Sequence, residues 1–112
     1  MKESELEKIL IREVRKEGGR AYKWISPGND GVPDRIVFFP NGEIFFIELK
    51  ADRGKVGPLR EKQIERLRSF RQQAGVVRGV AGLAEFFRGI GRGYIADRLE
   101  EKYGREVMPD EV

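Results

Sequence analysis

Hydrophobic residues recur along the chain in two different spacings, and these separate predicted helices from predicted strands. In residues 3–17 they return every three or four positions, as on an amphipathic helix, at Leu6, Ile9, Leu10 and Val14. Shorter apolar runs, typical of strands, follow at residues 21–25, 34–39 and 43–50. Asn41 and Gly42 separate the last two runs, and this dipeptide is a strong hairpin signal. The first half of the chain is therefore predicted to be one helix and three strands.

The second half begins with a longer helix, predicted to start near Pro58 and to end at about residue 74, before Gly75. The apolar residues of its inner face would be Leu59, Ile64, Leu67 and Phe70. A strand at 76–81, helices at 83–90 and 94–103, and an acidic end would follow. This order predicts an α/β or α+β fold around a small sheet. We divide the chain into a domain at 1–90 and a C-terminal helical extension and tail at 91–112.

The composition excludes several classes of catalytic and metal-binding site. The chain has 112 residues, enough for one domain, with 0 Cys and 0 His. Disulfides, thiolate nucleophiles, Cys-bound zinc and Ser-His-Asp hydrolysis are therefore excluded, which leaves carboxylates, lysines, hydroxyls or a hard, oxygen-bound metal. A net charge of +3 slightly favours a polyanionic partner. Because the chain has neither a membrane-length apolar run nor an apolar secretion signal, we expect a cytoplasmic protein without membrane contact.

Glu48 and Lys50 end the third predicted strand on the same face, because side chains alternate along a strand. The strand begins with apolar residues on both faces, so we expect it to be central and covered on both sides. That position would partly desolvate both charges, which is costly without compensation. If the second and third strands pair about Asn41, Asp34 lies close to this charged end.

Two carboxylates beside one lysine are suited to a divalent cation such as Mg²⁺. Asp34 and Glu48 would supply ligands, and the backbone carbonyl of Leu49 could supply another. Lys50 could orient or deprotonate the attacking water, or neutralise charge on a scissile phosphate. An ordinary strand-end salt bridge between Lys50 and one of the carboxylates is the alternative interpretation.

The sequence Val32-Pro33-Asp34, followed by Glu48-Leu49-Lys50 fourteen residues after the aspartate, resembles the PD-(D/E)xK nuclease motif. With GVPDRI, FIELK and a downstream glutamine, the chain is most similar to virus-type replication-repair nucleases (VRR-NUC) and to archaeal Holliday-junction resolvases. The similarity spans most of the chain, from Glu7 to Ala81. Carried over by position, Asp34 and Glu48 would bind the metal and Lys50 would be the catalytic lysine.

This resemblance implies a restriction-endonuclease-like α/β fold, with a small mixed β-sheet flanked by helices in the order α-β-β-β-α-β. It also implies Mg²⁺- or Mn²⁺-dependent hydrolysis of phosphodiester bonds in DNA, with Holliday junctions or other branched DNA as the favoured substrate. No small-molecule cofactor is expected. A stand-alone domain of this kind suits a phage or mobile-element enzyme. A general or restriction-type DNA endonuclease, or a non-catalytic nucleic-acid-binding module, are the alternatives.

The resemblance further implies a glutamate on the first helix that assists catalysis and is an additional candidate metal ligand. Glu7 has the matching distance from Gly18, and Glu5 is the competing choice. Gln63 on the longer helix matches a glutamine that these families keep near the active site. Helical Glu and Gln residues are also common on solvated surfaces, and that alternative stays open for both positions.

A positively charged segment follows the candidate site. Between residues 51 and 78 there are eight Lys and Arg residues against three acidic ones. Arg53 and Lys55, in a glycine-containing loop, and Arg60 and Lys62, on the longer helix, are candidate phosphate contacts. Ser26 could also approach a phosphate, although loop serines commonly serve turns. Charged helix residues are also often simply solvated.

Cutting two opposed strands of a junction requires two active sites, and the chain offers one candidate site. We therefore expect a homodimer. The predicted helix at 94–103 is one candidate interface element. The apolar residues that could serve this interface, or equally the core, are Phe86, Phe87, Ile90 and Ile95.

Overall fold

The computed structural model describes residues 1–107. Its elements are α1 (Glu3–Lys16), β1 (Arg20–Lys23), β2 (Arg35–Phe38), β3 (Ile44–Lys50), α2 (Pro58–Ser69), β4 (Gln73–Arg78), α3 (Gly79–Gly89) and α4 (Gly93–Val107). The α/β class and the order α-β-β-β-α-β are thus confirmed. Asp110 and Glu111 of the expected acidic end lie outside the described residues. Within residues 1–107, no helix combines the length and the hydropathy that crossing a membrane requires.

The four strands form one mixed sheet in the order β1-β2-β3-β4. The pairs β1–β2 and β2–β3 are antiparallel, and the hairpin predicted about Asn41 and Gly42 is present. Strand β4 runs parallel to β3, so the chain must cross over between them, and α2 makes this crossover. Strand β3 is therefore central, with a hydrogen-bonded neighbour on each side.

One face of the sheet carries the hydrophobic core. Phe45, Ile47 and Leu49 of β3 point into this face and are buried against α1, α3 and α4. The opposite face is covered only at one end, since Ile44 is 36% exposed whereas Glu48 is fully buried. The expectation that β3 is covered on both sides along its length is therefore wrong at its beginning and right at its charged end.

Helix α2 differs from its prediction in length and in burial. The helix ends at Ser69, and Arg71 adopts a left-handed φ of 62° that turns the chain into β4. Gly75 therefore lies inside β4 rather than ending the helix. The predicted inner face is also wrong for Leu59 and Phe70, which are 60% and 64% exposed, because α2 lies over the polar end of the sheet.

Helix α4 packs on the same core as the rest of the chain. Ile95 and Leu99 are buried in the cluster that includes Phe87 of α3. The interpretation of Phe87 and Ile95 as interface residues is therefore wrong, because both are enclosed by their own chain. Phe86 and Ile90 are partly buried against the same cluster.

A buried carboxylate joins α1 to α4. Glu13 of α1 is 2% exposed, and Arg98 of α4 donates a hydrogen bond to its Oε1 at 2.6 Å. Arg12 and Lys16 contact its Oε2 at 3.2 Å each. Burial acts to raise the pKa of Glu13, but the hydrogen bonds from Arg98, Arg12 and Lys16 outweigh burial and hold this pKa below its ordinary value. Glu13 is thus charged at neutral pH and fixes α4 against α1.

The loop before β2 is held tightly against the start of α2. Gly31 has a φ of 87°, and a Cβ at this position would lie 2.9 Å from the carbonyl carbon of Leu59 and 3.0 Å from the backbone nitrogen of Arg60. Gln63 donates from its Nε2 to the backbone carbonyl of Asp30 at 3.2 Å. These contacts set the distance between α2 and the strand ends beneath it.

If α4 is part of the single core, Leu99→Ala should lower the free energy of unfolding by about 2–5 kcal/mol, as for other buried leucines. Unfolding should remain one cooperative transition when followed by denaturant titration. The matched variant Leu59→Ala, at an exposed position, should change the free energy by less than about 0.5 kcal/mol. Equal small effects, or a separate early transition for Leu99→Ala, would show that α4 is not part of the cooperative unit.

A comparison with Gly28 separates two effects on the free energy of unfolding at Gly31, the close contact with α2 and the left-handed backbone. Gly28 has a similar φ of 81°, but no atom lies within 4 Å of an added Cβ. Gly28→Ala should cost about 1–2 kcal/mol for the left-handed conformation alone. Gly31→Ala should cost about 1–3 kcal/mol more, because the methyl group meets the α2 backbone. Denaturation followed by the fluorescence of Trp24 measures both. Equal losses for the two variants would refute the close contact.

Candidate active site

Two carboxylates from neighbouring strands meet at one end of the sheet. The β2–β3 register pairs Arg35 with Ile47, so Asp34 stands next to Glu48 just beyond the last paired residues. The backbone N–H of Asp34 donates to Glu48 Oε1 at 3.2 Å. The carbonyl of Asp34 accepts from the backbone N–H of Trp24 at 2.8 Å, which extends the β1–β2 ladder to this position. Hairpin pairing therefore brings Asp34 and Glu48 together, as the sequence predicts.

Glu48 is a fully buried carboxylate at 0% exposure. Burial raises the pKa of Glu48, and the negative charge of Asp34 raises it further. The positive charges of Arg60 and Lys50 and the hydrogen bond from the Asp34 backbone act in the opposite direction without cancelling this rise. The ionised form of Glu48 is thus under-compensated, and more positive charge at this point would stabilise it.

Two cations contact the same oxygen of Glu48. Arg60 Nη1 lies 2.9 Å from Glu48 Oε2 and donates a hydrogen bond to it, whereas Lys50 Nζ lies 3.6 Å from that oxygen. The Lys50 stem runs beside Gly54, where a Cβ would stand 3.1 Å from its Cδ. Arg78 in turn donates a hydrogen bond to the Gly54 carbonyl. The loop after β3 is therefore folded back on the sheet and confines Lys50 beside Glu48.

The donor set fits a hard divalent cation. Asp34 and Glu48 offer carboxylate oxygens side by side, and the pKa of Glu48 is raised first by burial and then by the negative charge of Asp34. The β2–β3 ladder ends at Ile47, so Leu49 has a paired strand only on the β4 side. Within residues 1–107, no three acidic side chains converge on one point. A metal would thus have two carboxylate ligands, with water and phosphate oxygens completing its shell, as is usual for Mg²⁺.

Glu7 lies on the other face of the sheet from Glu48. Arg35 follows Asp34 directly, so its side chain points to the opposite face, where α1 packs. Its Nη2 donates to Glu7 Oε1 at 2.7 Å and its Nη1 donates to the Ala21 carbonyl at 3.1 Å. The structure therefore brings Glu7 to Arg35, and does not bring it to the carboxylate pair.

The remaining predicted site residues bind groups other than the carboxylate pair or are exposed. Gln63 binds the Asp30 carbonyl and so holds the loop before Asp34 rather than Glu48. Ser26 accepts a hydrogen bond from Asn29 Nδ2 at 3.1 Å, as a turn residue does. Of the predicted phosphate contacts, Arg53 and Lys55 are exposed on the loop after β3, and Lys62 is exposed on α2.

The sequence did not predict two contacts of Arg60 and Arg35. Arg60 was predicted as a phosphate contact, and nothing in its helical spacing indicates that it reaches Glu48. Arg35 was not singled out, although strand alternation after Asp34 places it on the α1 face beside Glu7.

Comparisons with known proteins identify the family of this chain. No protein-family model matches the sequence. A protein named "Putative nuclease p44", from Acyrthosiphon pisum secondary endosymbiont phage 1, is 51% identical over 67 residues, which make up 60% of this chain and 72% of that protein.

Two solved structures share the fold. One, described as "VRR_NUC domain", has a TM-score of 0.65 and 26% identity, and the match covers 90% of this chain and 96% of that one. The other, described as "VRR_NUC domain protein", has a TM-score of 0.64 and 17% identity, with 80% and 87% covered. By its phage relative and by its fold, the chain belongs to the VRR-NUC family of nucleases.

Proposed function

We propose that this nuclease is a metal-dependent, structure-selective endonuclease that hydrolyses phosphodiester bonds in Holliday junctions or other branched DNA. The observation that carries the proposal is the pairing of Asp34 with buried Glu48, with Lys50 Nζ 3.6 Å from Glu48 Oε2. A binding module would gain little from two adjacent carboxylates at a face meant for phosphates, because they repel the same polyanion. Carboxylates at this point are useful when a cation stands between them and the substrate.

Each residue of the site would have a separate role. Asp34, Glu48 and the Leu49 carbonyl would hold Mg²⁺ or Mn²⁺. The bound ion would supply Lewis-acid activation of the phosphodiester and neutralise developing charge. Lys50 would orient or deprotonate the attacking water, or stabilise charge on the scissile phosphate. Glu7 would assist through Arg35, the neighbour of Asp34, and Gln63 would hold the loop that carries Asp34.

Phosphate contacts would come from cations next to the carboxylate pair. Arg53 and Lys55 lie in the loop that follows Lys50 directly, and Lys62 is exposed on α2 near its start. Ser26, half-buried in its turn, would add a hydroxyl contact to the DNA backbone. Contacts of this kind are made with phosphates rather than base edges, which favours recognition of DNA shape over DNA sequence.

Junction cleavage on opposed strands would require a homodimer, because each chain contributes one Asp34–Glu48 pair. The apolar area available for a second copy lies on the sheet face away from the core. Its exposed members include Tyr22, Phe38, Ile44 and Val76. The enzyme would act in the cytoplasm of a bacterial or phage-infected cell.

A cleavage assay on a four-way junction and a linear duplex of matched sequence tests this proposal. With Mg²⁺ or Mn²⁺, we expect paired incisions near the branch point and little cutting of the duplex. With EDTA, both substrates should remain intact, because the carboxylate pair lacks its cation. Equal cutting of both substrates would contradict structure selectivity and favour a general or restriction-type endonuclease. Tight binding without cutting in either metal would favour the binding module.

Replacing Lys50 separates catalysis from binding. Lys50→Ala should reduce the cleavage rate by about 100-fold or more, the usual size of a lost charge-stabilising or proton-transfer group. DNA affinity measured in EDTA by fluorescence anisotropy should change less than about threefold, since one screened phosphate contact is worth little beside several. Lys102→Ala, an exposed lysine on α4, is the matched control and should leave both quantities unchanged. Parallel losses of affinity and rate would make Lys50 a binding residue.

A further inference from the structure

Arg60 lies beside Glu48, where a bound metal would otherwise supply the positive charge that this carboxylate needs. Its Nη1 donates to Glu48 Oε2 at 2.9 Å, closer than the 3.6 Å of Lys50 Nζ. The other carboxylate oxygen, Oε1, accepts from the Asp34 backbone. Both oxygens of Glu48 are therefore engaged by donors of the chain itself.

A divalent cation and the Arg60 guanidinium compete for Glu48. A magnesium ion would bind a carboxylate oxygen at about 2.1 Å, and a guanidinium hydrogen-bonded to the same oxygen would bring two positive centres into close contact. Their repulsion would be weakly screened, because Glu48 is fully buried. Coordination by Oε2 therefore favours departure of Arg60.

Arg60 also has an unused donor. Its Nε is buried and finds no hydrogen-bond partner among the described residues. An unsatisfied buried N–H is unfavourable, so the contact with Glu48 leaves this side chain incompletely bonded. Phosphate oxygens accept from Nε and Nη together in the planar, two-pronged geometry of arginine. The side chain is 32% exposed at the start of α2, next to the cation-rich loop after β3, so a phosphate can reach it.

We propose that Arg60 is an exchangeable counter-ion: it neutralises Glu48 while the site lacks a metal, and it moves to a phosphate oxygen of the nucleic acid once a divalent cation binds. The inference rests on the proposed function, in which Asp34 and Glu48 hold that cation. It adds a coupling between the two ligands, since the cation releases the residue that then contacts the substrate. Arg60 is thus a substrate-binding residue that becomes available only in the metal-loaded enzyme.

Calorimetric titration of Mn²⁺ into the DNA-free protein tests the first half of this exchange. Arg60→Gln should bind Mn²⁺ about tenfold more tightly than the unmodified chain, because a competing charge-assisted hydrogen bond is removed. Arg66→Gln, on the same helix, is the matched control and should leave the affinity unchanged. Glu48→Gln should weaken binding strongly.

The salt dependence of junction binding tests the second half, in a Lys50→Ala background so that the DNA is not cut. With Mn²⁺ present, Arg60→Gln should reduce the slope of log K against log salt by about one, the contribution of one phosphate contact. In EDTA the slope should be unchanged, because Arg60 is then held by Glu48. A slope change that is the same with and without metal would overturn the exchange.

Nuclear magnetic resonance of the Arg60 Nε–Hε group gives a readout that needs no Arg60 variant. Its signal should shift when Mg²⁺ is added to the wild-type chain, and shift again when junction DNA is added to the Mg²⁺-loaded Lys50→Ala protein. A signal that stays fixed while calorimetry shows metal binding would overturn the inference and leave the metal site intact. If neither the wild-type chain nor Arg60→Gln binds metal, the proposed function fails, and the inference with it.

Discussion

The burial of the Glu48 carboxylate is the constraint on which the rest of the site depends. A buried, desolvated charge at the end of a central strand is unfavourable unless other groups compensate it. The hairpin supplies one backbone donor from Asp34, but it also adds a second negative charge that makes the deficit larger. Lys50 and Arg60 then supply cations from the same strand and from α2. A site that still lacks positive charge after these contacts is well suited to receive a divalent ion.

This constraint explains why the two faces of the sheet are built differently. The face against α1, α3 and α4 holds the continuous core and accounts for most of the apolar burial. Helix α2, on the other face, buries Ile64 and half-buries Leu67, and the rest of its described side chains are mostly polar. Its position is set by the backbone contact at Gly31 and the Gln63 hydrogen bond rather than by a hydrophobic stripe. The core thus stabilises the sheet, and α2 delivers Arg60 to Glu48.

Sequence patterns predicted what depends on short-range rules. The Asn41-Gly42 turn and strand alternation were enough to place Asp34 beside Glu48 and to point Phe45 towards the core. They failed where the outcome depends on which elements pack together. The apolar spacing of α2 did not reveal that Leu59 faces solvent, because spacing defines a stripe but not whether another layer covers it. Likewise, the partners of Glu7 and Arg60 depend on the distances between α1, α2 and the sheet.

Asp34 and Glu48 are proposed to form one cation site from which Arg60 withdraws. Anomalous diffraction from crystals grown with Mn²⁺ tests it most directly, because the scattering locates the ion independently of any assumed ligands. We expect one strong peak between the Asp34 and Glu48 carboxylates, close to the Leu49 carbonyl, with Arg60 turned away from Glu48 Oε2. A peak elsewhere, or no peak with Arg60 still bonded to Glu48 at saturating Mn²⁺, would contradict it.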